Sequence, residues 1–347
     1  MQFLEYVLYF ILVVLVFGVL IFIHELGHFL MARLCGVGVK EFAIGMGPTV
    51  FSVQSKKHGT KYGLRLFPIG GFVSMVGEDE SSEEENAFCN KSVWKRMLIV
   101  ATGPAMNLIL GFLLMTIIVF SQGTPVSTTI AKFSDTAVSQ EKLQVGDEIL
   151  SIDCTPVHTG HEVLYEIMNQ GYEPIDIKVK RNGEKILVEN VSFGSTSDET
   201  GVNFGEIDFS LYAEESNFFT LLKHSFFRSL STMKMVIDSV VGMITGRFGI
   251  ESVSGPVGTA GMIGDAAKQG ILTFLYIMSA LSINLGMFNL FPFPALDGGR
   301  FLFLIIEGIR RKPINKNVES YINFAGIVIL LAFMVLITAK DVFQLFS

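Results

Sequence analysis

Four long uncharged runs decide what this chain of 347 residues can fold into. They cover residues 6–23, 97–121, 271–296 and 320–339, and a helix needs about 20 apolar residues to cross the hydrocarbon core of a bilayer. Only 17% of the residues are charged and the mean hydropathy is +0.50, which is too apolar for a soluble protein of this length. The runs predict a polytopic α-helical membrane protein with four transmembrane helices. Because Glu5 replaces a basic leader and no small-residue cleavage site follows, we interpret the first run as a retained helix.

The distribution of Lys and Arg predicts how these helices are oriented. Nine basic residues lie between Arg33 and Arg96, and four more lie between Arg310 and Lys316. Basic loops stay on the cytoplasmic side, so both segments are expected there. Both termini and the region from 123 to 270 are then expected outside. Residues 126–215 carry 6 basic and 17 acidic side chains, which agrees with an exterior location.

The exterior region has the patterning of a small β-rich domain with one helix. An Asn182-Gly183 pair between two alternating runs predicts a tight hairpin. The expected strands are 128–133, 148–153, 175–180 and 185–193, and the expected helix is 160–170.

Two further segments have recognisable patterns. In the cytoplasmic-side loop, two extended runs flank Pro68-Ile69-Gly70-Gly71, which is the turn chemistry of a β-hairpin. From 217 to 249, apolar residues recur at steps of three and four, as on an amphipathic helix. Such a helix could lie on the membrane or pack against the β-rich domain, and the sequence leaves both open.

These patterns predict seven segments in chain order. They are a transmembrane helix at 1–33, a loop with a β-hairpin at 34–96, a transmembrane helix at 97–121, a β-rich domain at 126–208, an amphipathic helical segment at 217–249, a loop and broken transmembrane helix at 250–310, and a transmembrane helix at 318–342.

The end of the first apolar run contains the motif His24-Glu25-Leu26-Gly27-His28. On a helix the i, i+4 spacing places both imidazoles on one face, where they can share one Zn²⁺, with Glu25 beside the metal as a base. Two core histidines with an interfacial Glu are the alternative. Burying ionisable groups in a membrane span costs about 2.5 to 3.5 kcal/mol each, and a metal would offset that cost.

A catalytic zinc needs a third protein ligand and an open position. In the third run, Asp297 is the only acidic residue of its apolar neighbourhood, and Pro292 and Pro294 are expected to break the helix just before it. His24 lies 18 residues after Tyr6, about 27 Å along a helix, which puts the histidines in the cytoplasmic third. Asp297 precedes the basic segment at 310–316, so it is expected at a similar depth. A carboxylate that caps the broken helix is the alternative.

Asparagines on the apolar runs are further candidates. Asn289 and Asn284 lie in the third run and could hold a substrate carbonyl near the metal, or could serve packing alone. Gly103, Asn107 and Gly111 share one face of the second run, which favours close helix packing with Asn as a polar contact.

Together these residues resemble the site-2 protease family of intramembrane zinc metalloproteases. The resemblance extends over EFAIGMGP (41–48), GGFVSMVGE (70–78), KLQVGDEILSIDCTPV (142–157) and SGPVG (254–258), which are similar to the bacterial branch with a PDZ domain. It implies that His24, His28 and Asp297 bind zinc, one ion per chain, and that Glu25 is the catalytic base. Since about 80 residues fit one PDZ domain only, the chain is more similar to the single-PDZ form.

The resemblance also implies a function. Proteases of this branch make the second cut of regulated intramembrane proteolysis in the bacterial plasma membrane, on single-span proteins such as a shortened anti-sigma factor, and in some cases on signal-peptide remnants. We expect the active site near the cytoplasmic side, the PDZ domain outside, and the bilayer rather than nucleic acid as partner. Gly70, Gly71 and Phe72 of the hairpin are expected to offer an edge strand to the unwound substrate.

Two other functions remain possible at the level of the sequence. One is a catalytically silent membrane adaptor whose PDZ domain captures peptide tails and whose motif holds a structural metal. The other is a metal-ion transporter, which is weaker because transporters place ligands along a path and usually have inverted repeats, whereas this chain has one compact cluster of ligands and one exterior module of peptide-binding type.

Overall fold

The computed structural model describes residues 2–78, 80, 82–198 and 201–346. The chain divides into two compact units. We call Met1–Gly111 with Ser254–Ser347 the membrane unit, and Phe112–Val253 the β-rich unit.

The membrane unit contains most of the long helices. Its elements are α1 (Gln2–Leu34), β1 (Val39–Gln54), β2 (Lys61–Met75), the first part of α2 (Val93–Gln122), α5 (Pro256–Gln269), α6 (Ile271–Leu290), α7 (Asp297–Arg310) and α8 (Lys316–Phe346). Among the described residues, four helices are long and apolar enough to cross a membrane, namely Tyr9–Leu34, Val93–Gln122, Ile271–Leu290 and Lys316–Gln344. The four predicted spans lie on these helices.

The third span is broken as the prolines predict. The helix α6 ends at Leu290, residues 291–296 are not helical, and α7 begins at Asp297. The interpretation of residues 250–270 as a loop is wrong, because α5 occupies most of that stretch. Pro256 starts α5, and the Asp341 carboxylate of α8 accepts a hydrogen bond from the Gly258 N–H at 2.7 Å. That acceptor satisfies a free backbone donor of the first helical turn, a contact that no local pattern reveals.

The predicted hairpin is present, but its turn lies elsewhere. The chain turns at 55–60, where the Ser55 N–H donates to the Thr60 carbonyl and Gly59 has a φ of +69°. Residues 68–71 instead lie inside β2, where Gly70 has a φ of +88° and the strand bends. Because β2 bends there, residues 41–44 of β1 pair with 61–64 on one side and with 71–74 on the other.

The β-rich unit has its own apolar core. Its elements are β3 (Val126–Phe133), β4 (Glu148–Ile152), β5 (Thr155–Pro156), α3 (Gly160–Gln170), β6 (Ile175–Arg181), β7 (Glu184–Val191), β8 (Gly194–Ser197), β9 (Asn203–Glu206), β10 (Phe209–Ala213) and α4 (Phe218–Thr245). The sheet order is β10-β3-β4-β6-β7, β5 pairs with β4, and β8 pairs with β9. The four predicted strands, the helix and the Asn182-Gly183 turn are confirmed. The sheet extends beyond the predicted end at 208, because β10 pairs with β3.

The amphipathic segment forms α4, and its apolar stripe does not face the β-rich domain. Phe219 is 79% exposed and Ile244 is 81% exposed, whereas the buried face carries mainly small or polar residues such as Ser225 and Ser229. Polar contacts attach α4 to α3. The Tyr165 hydroxyl donates to Asp238 at 2.6 Å, and Lys234 bonds the same carboxylate. Of the two alternatives, packing against the β-rich domain is therefore confirmed for the polar face of α4 only.

Candidate metal centre

The residues of the predicted site converge on one point of the membrane unit. His24 and His28 lie one helical turn apart on α1, and Asp297 is the first residue of α7. Asp297 Oδ2 is 2.9 Å from His24 Nε2 and 3.2 Å from His28 Nε2, and the two Nε2 atoms are 3.2 Å apart. Both histidines are more than nine-tenths buried. Within the described parts of the chain, these three are the one group of His, Cys, Asp or Glu whose ligand atoms lie close enough to hold a metal ion.

The other ring nitrogen of each histidine, Nδ1, contacts a residue of α2. His28 Nδ1 lies 2.9 Å from the Ile99 carbonyl oxygen, and since a carbonyl only accepts, Nδ1 must carry the proton. The fully buried Asn107 places its amide nitrogen Nδ2 3.3 Å from His24 Nδ1, and since an amide nitrogen only donates, this ring nitrogen is the acceptor. Both Nε2 atoms are turned toward Asp297. For His28, the bond to Ile99 is the outer hydrogen bond that metal-ligating histidines donate.

The helix α2 approaches His28 closely because residue 103 has no side chain. A Cβ atom at Gly103 would lie 2.2 Å from His28 Nε2, far inside van der Waals contact. Ser282 of α6 fixes the neighbouring turn, since its hydroxyl donates to the Asn107 carbonyl at 2.7 Å. The helix α2 therefore packs closely against α1 at Gly103 and is hydrogen-bonded to α6 at Asn107.

Glu25 lies against the hairpin. Its carboxylate interacts with the backbone of Val73, and a Cβ atom at Gly71 would lie 3.3 Å from Glu25 Cγ. Phe72 is paired with Ala43, and the Arg65 guanidinium lies over its ring at 4.4 Å. The structure therefore brings Glu25 and the 71–73 segment of β2 together, while Gly70 forms the bend before them.

Asn289 is the predicted site residue that the described contacts do not join to this cluster. It is half-buried in the last turn of α6. Conversely, Ile99 and the contacts of Asn107 and Gly103 to the histidines were not predicted from the sequence. The spacing of Gly103 and Asn107 was a usable signal, but it indicates helix packing equally well.

The donor set fits zinc. Ligand atoms about 2.0 Å from a tetrahedral Zn²⁺ lie about 3.3 Å from one another, and the three distances here are 2.9, 3.2 and 3.2 Å. Two imidazoles and one carboxylate are also the donors of a catalytic zinc site, which keeps its fourth position open.

Comparisons with known proteins decide the family. The model of peptidase family M50 matches residues 12–333. The chain belongs to peptidase family M50, the site-2 proteases.

Relatives match this family member almost end to end. The chain is 36% identical to a Clostridium acetobutylicum protein whose name includes the words zinc metalloprotease, over 96% of each chain. It is 30% identical to the regulator of sigma-W protease RasP of Bacillus subtilis, over 96% of this chain and 98% of that protein. The zinc metalloprotease RasP of Bacillus licheniformis gives the same identity and coverage. This M50 peptidase is therefore a zinc metalloprotease and a multi-pass membrane protein.

Proposed function

We propose that His24, His28 and Asp297 bind the zinc ion and that Glu25 is the catalytic base of an intramembrane endopeptidase. The observation that carries the proposal is the convergence of the two Nε2 atoms on Asp297 Oδ2. Glu25 directly follows His24 in the sequence. When bound, zinc supplies Lewis-acid activation of water and of the scissile carbonyl. Glu25 then takes a proton from the attacking water and returns it to the leaving amine.

The hairpin is proposed to hold the substrate. A helical segment hides its peptide bonds, so it must be unwound before attack, and an extended segment can pair with an exposed strand edge. Among the described residues, the 71–74 segment pairs with one strand segment only, 41–44. Its contact with Glu25 supports substrate contacts for Gly70, Gly71 and Phe72. Asn289 is proposed to contact the substrate from the end of α6.

We propose single-span membrane proteins as the substrates, cut as the second step of regulated intramembrane proteolysis. The printed name of the Bacillus subtilis relative, regulator of sigma-W protease, supports a shortened anti-sigma factor as one of them. Signal-peptide remnants are a second class. The family match favours this activity over a silent adaptor or a metal transporter.

Sidedness follows from the basic segments. We propose that both termini and the β-rich domain, as a single PDZ domain that binds peptide tails, lie outside, with the metal centre near the cytoplasmic face. The exposed apolar stripe of α4 supports a position of that helix on the membrane surface.

The deciding experiment compares Glu25→Gln with the matched change Glu215→Gln at an exposed position. Glu25→Gln should lower cleavage of a single-span reporter about 100- to 10,000-fold while the purified protein keeps its zinc. Glu215→Gln should leave both unchanged. Normal cleavage by the Glu25→Gln protein would reject the catalytic role. Mass spectrometry of membranes from cells with each variant would identify the substrates, as single-span proteins that accumulate uncut.

A further inference from the structure

Asp297, the proposed third zinc ligand, begins α7 directly after a short non-helical segment. Residues 291–296 connect α6 to α7, and they contain Pro292 and Pro294, which remove two backbone hydrogen-bond donors. A segment with few internal hydrogen bonds holds a metal ligand in place only if other elements of the fold fix its backbone.

The last helix, α8, contacts this segment at two positions. The Ala295 N–H donates to Asn323 Oδ1 at 3.2 Å, and Ala295 has a φ of +74°, a backbone conformation that residues with a side chain rarely adopt. Three residues further along α8, a Cβ atom at Gly326 would lie 2.6 Å from the Pro294 carbonyl oxygen. Residues three apart share one face of a helix, so α8 meets the Pro294–Ala295 turn with a hydrogen bond and a close backbone contact.

We infer that Asn323 and Gly326 are positioning residues for the metal centre. Unfavourable backbone conformations persist where the surrounding structure fixes them, and these two contacts are what α8 adds to the close approach of Gly298 and Gly299 of α7 to the same segment. They fix the turn at Ala295, and the turn fixes the direction in which α7 presents Asp297 to His24 and His28. This inference rests on the proposed zinc ligands and gives α8 a role beyond membrane insertion.

The test measures zinc affinity of the purified full chain by competition with a chelator. Asn323→Leu removes the acceptor and should weaken zinc binding about 10- to 100-fold, as loss of outer contacts does in other zinc sites. Asn323→Asp keeps an acceptor oxygen for the Ala295 N–H. The cavity that Asn323 lines has three basic side chains (Arg96, Arg300 and Lys316) that balance three acidic ones (Glu78, Glu307 and Glu319). This variant should therefore keep most of the zinc affinity that Asn323→Leu loses.

Gly326→Ala provides an independent variant with a matched control. It should also weaken zinc binding, whereas Gly261→Ala, whose added Cβ meets nothing within 4 Å, should not. In cobalt-loaded protein, Asn323→Leu and Gly326→Ala should shift the visible d–d absorption, which a loss of general stability would not do. If Gly326→Ala does not fold, Asn323→Leu alone decides.

Unchanged affinity and unchanged cobalt spectra for Asn323→Leu would overturn the inference, as would an equal loss in Asn323→Asp. Asp297→Ala separates this failure from failure of the proposed function. If Asp297→Ala keeps its zinc affinity, the ligand assignment is wrong. If Asp297→Ala loses zinc and Asn323→Leu does not, only the positioning role of α8 is wrong.

Discussion

The β-rich unit has one large cluster of buried apolar side chains, whereas the candidate metal centre of the membrane unit lies among buried polar and small residues. Ile130, Ile149 and Ile177 are fully buried in the former. In the latter, Asn107, Ser279 and Ser282 are fully buried, while side chains such as Phe10 and Leu15 are more than half exposed. Lipid tails are as apolar as Leu, so large apolar side chains gain little by leaving them.

The two units therefore differ in the balance of the forces that stabilise them. Burial of apolar surface stabilises the β-rich unit at about 25 cal/mol per Å². The membrane unit has smaller apolar clusters, such as Val16, Leu20 and Ile263. To these it adds close backbone approach and hydrogen bonds between helices, such as the Ser279 hydroxyl to the Gly111 carbonyl at 2.8 Å. The helix α4 belongs to the β-rich unit but follows the second pattern, because its small polar face is buried and its apolar face is exposed.

The largest effect is expected in the apolar core. Ile177→Ala leaves a cavity and should lower the free energy of unfolding of the β-rich unit by about 2–5 kcal/mol, measured by hydrogen exchange of β4 and β6 in the full chain. Zinc affinity should not change. Leu187→Ala, at a side chain that is 54% exposed, is the control and should change little. A similar loss for both would show that the sheet is not held by core burial.

Gly103→Ala should act on the metal centre instead. The new methyl group would overlap the His28 ring, so the helices must separate or the imidazole must turn. Zinc affinity should fall by about 10- to 100-fold, with little change in hydrogen exchange of the β-rich unit. Gly261→Ala again provides the control. Zinc binding at full affinity would mean that α2 does not approach His28 so closely.

Ser282→Ala tests the hydrogen bonds between the membrane helices. Loss of the bond to the Asn107 carbonyl should cost about 0.6 kcal/mol, and at most about 1.7 kcal/mol, measured as a small decrease in thermal stability in detergent. Ser121→Ala removes a bond within α2 only, from its hydroxyl to the Ile117 carbonyl, and should cost less. Equal costs would contradict a contribution from the contact between helices.

The smallest effect concerns pH and the β-rich unit. Burial lowers the pKa of His161 to about 4, and Arg228 and His224 act in the same direction. The folded state then binds fewer protons than the unfolded state, so stability should decrease as pH falls from about 6.5 to about 4. Because the His161 side chain is exposed at the protein surface, solvent screens these effects and the decrease in stability should be small. His161→Asn should flatten this part of the pH profile of hydrogen exchange in α3 and α4, and an unchanged profile would assign it to other groups.

Local chemistry made much of this protein predictable from sequence. Hydropathy and length predict the four spans, the i, i+4 spacing places His24 and His28 together, and Pro292 and Pro294 end α6 before Asp297. The Asn182-Gly183 turn is equally local. Each of these features depends on residues close together in the sequence, from one helical turn for the histidines to about 20 residues for a span.

Contacts between distant segments could be decided only by the tertiary structure. Nothing near residue 68 shows that β2 bends there and that the turn lies at 55–60. The bend is set by the pairing of residues 41–44 with 61–64 on one side and 71–74 on the other, and these are distant in the sequence. Likewise, Asn107 and Gly103 resemble ordinary packing residues until α2 is set against α1. The sequence alone thus determined the four spans, α3, α4 and the candidate ligands, but not α5. Only packing decided which side chains, from Ile99 to Asn323, surround and support them, because those contacts join residues tens to hundreds of positions apart.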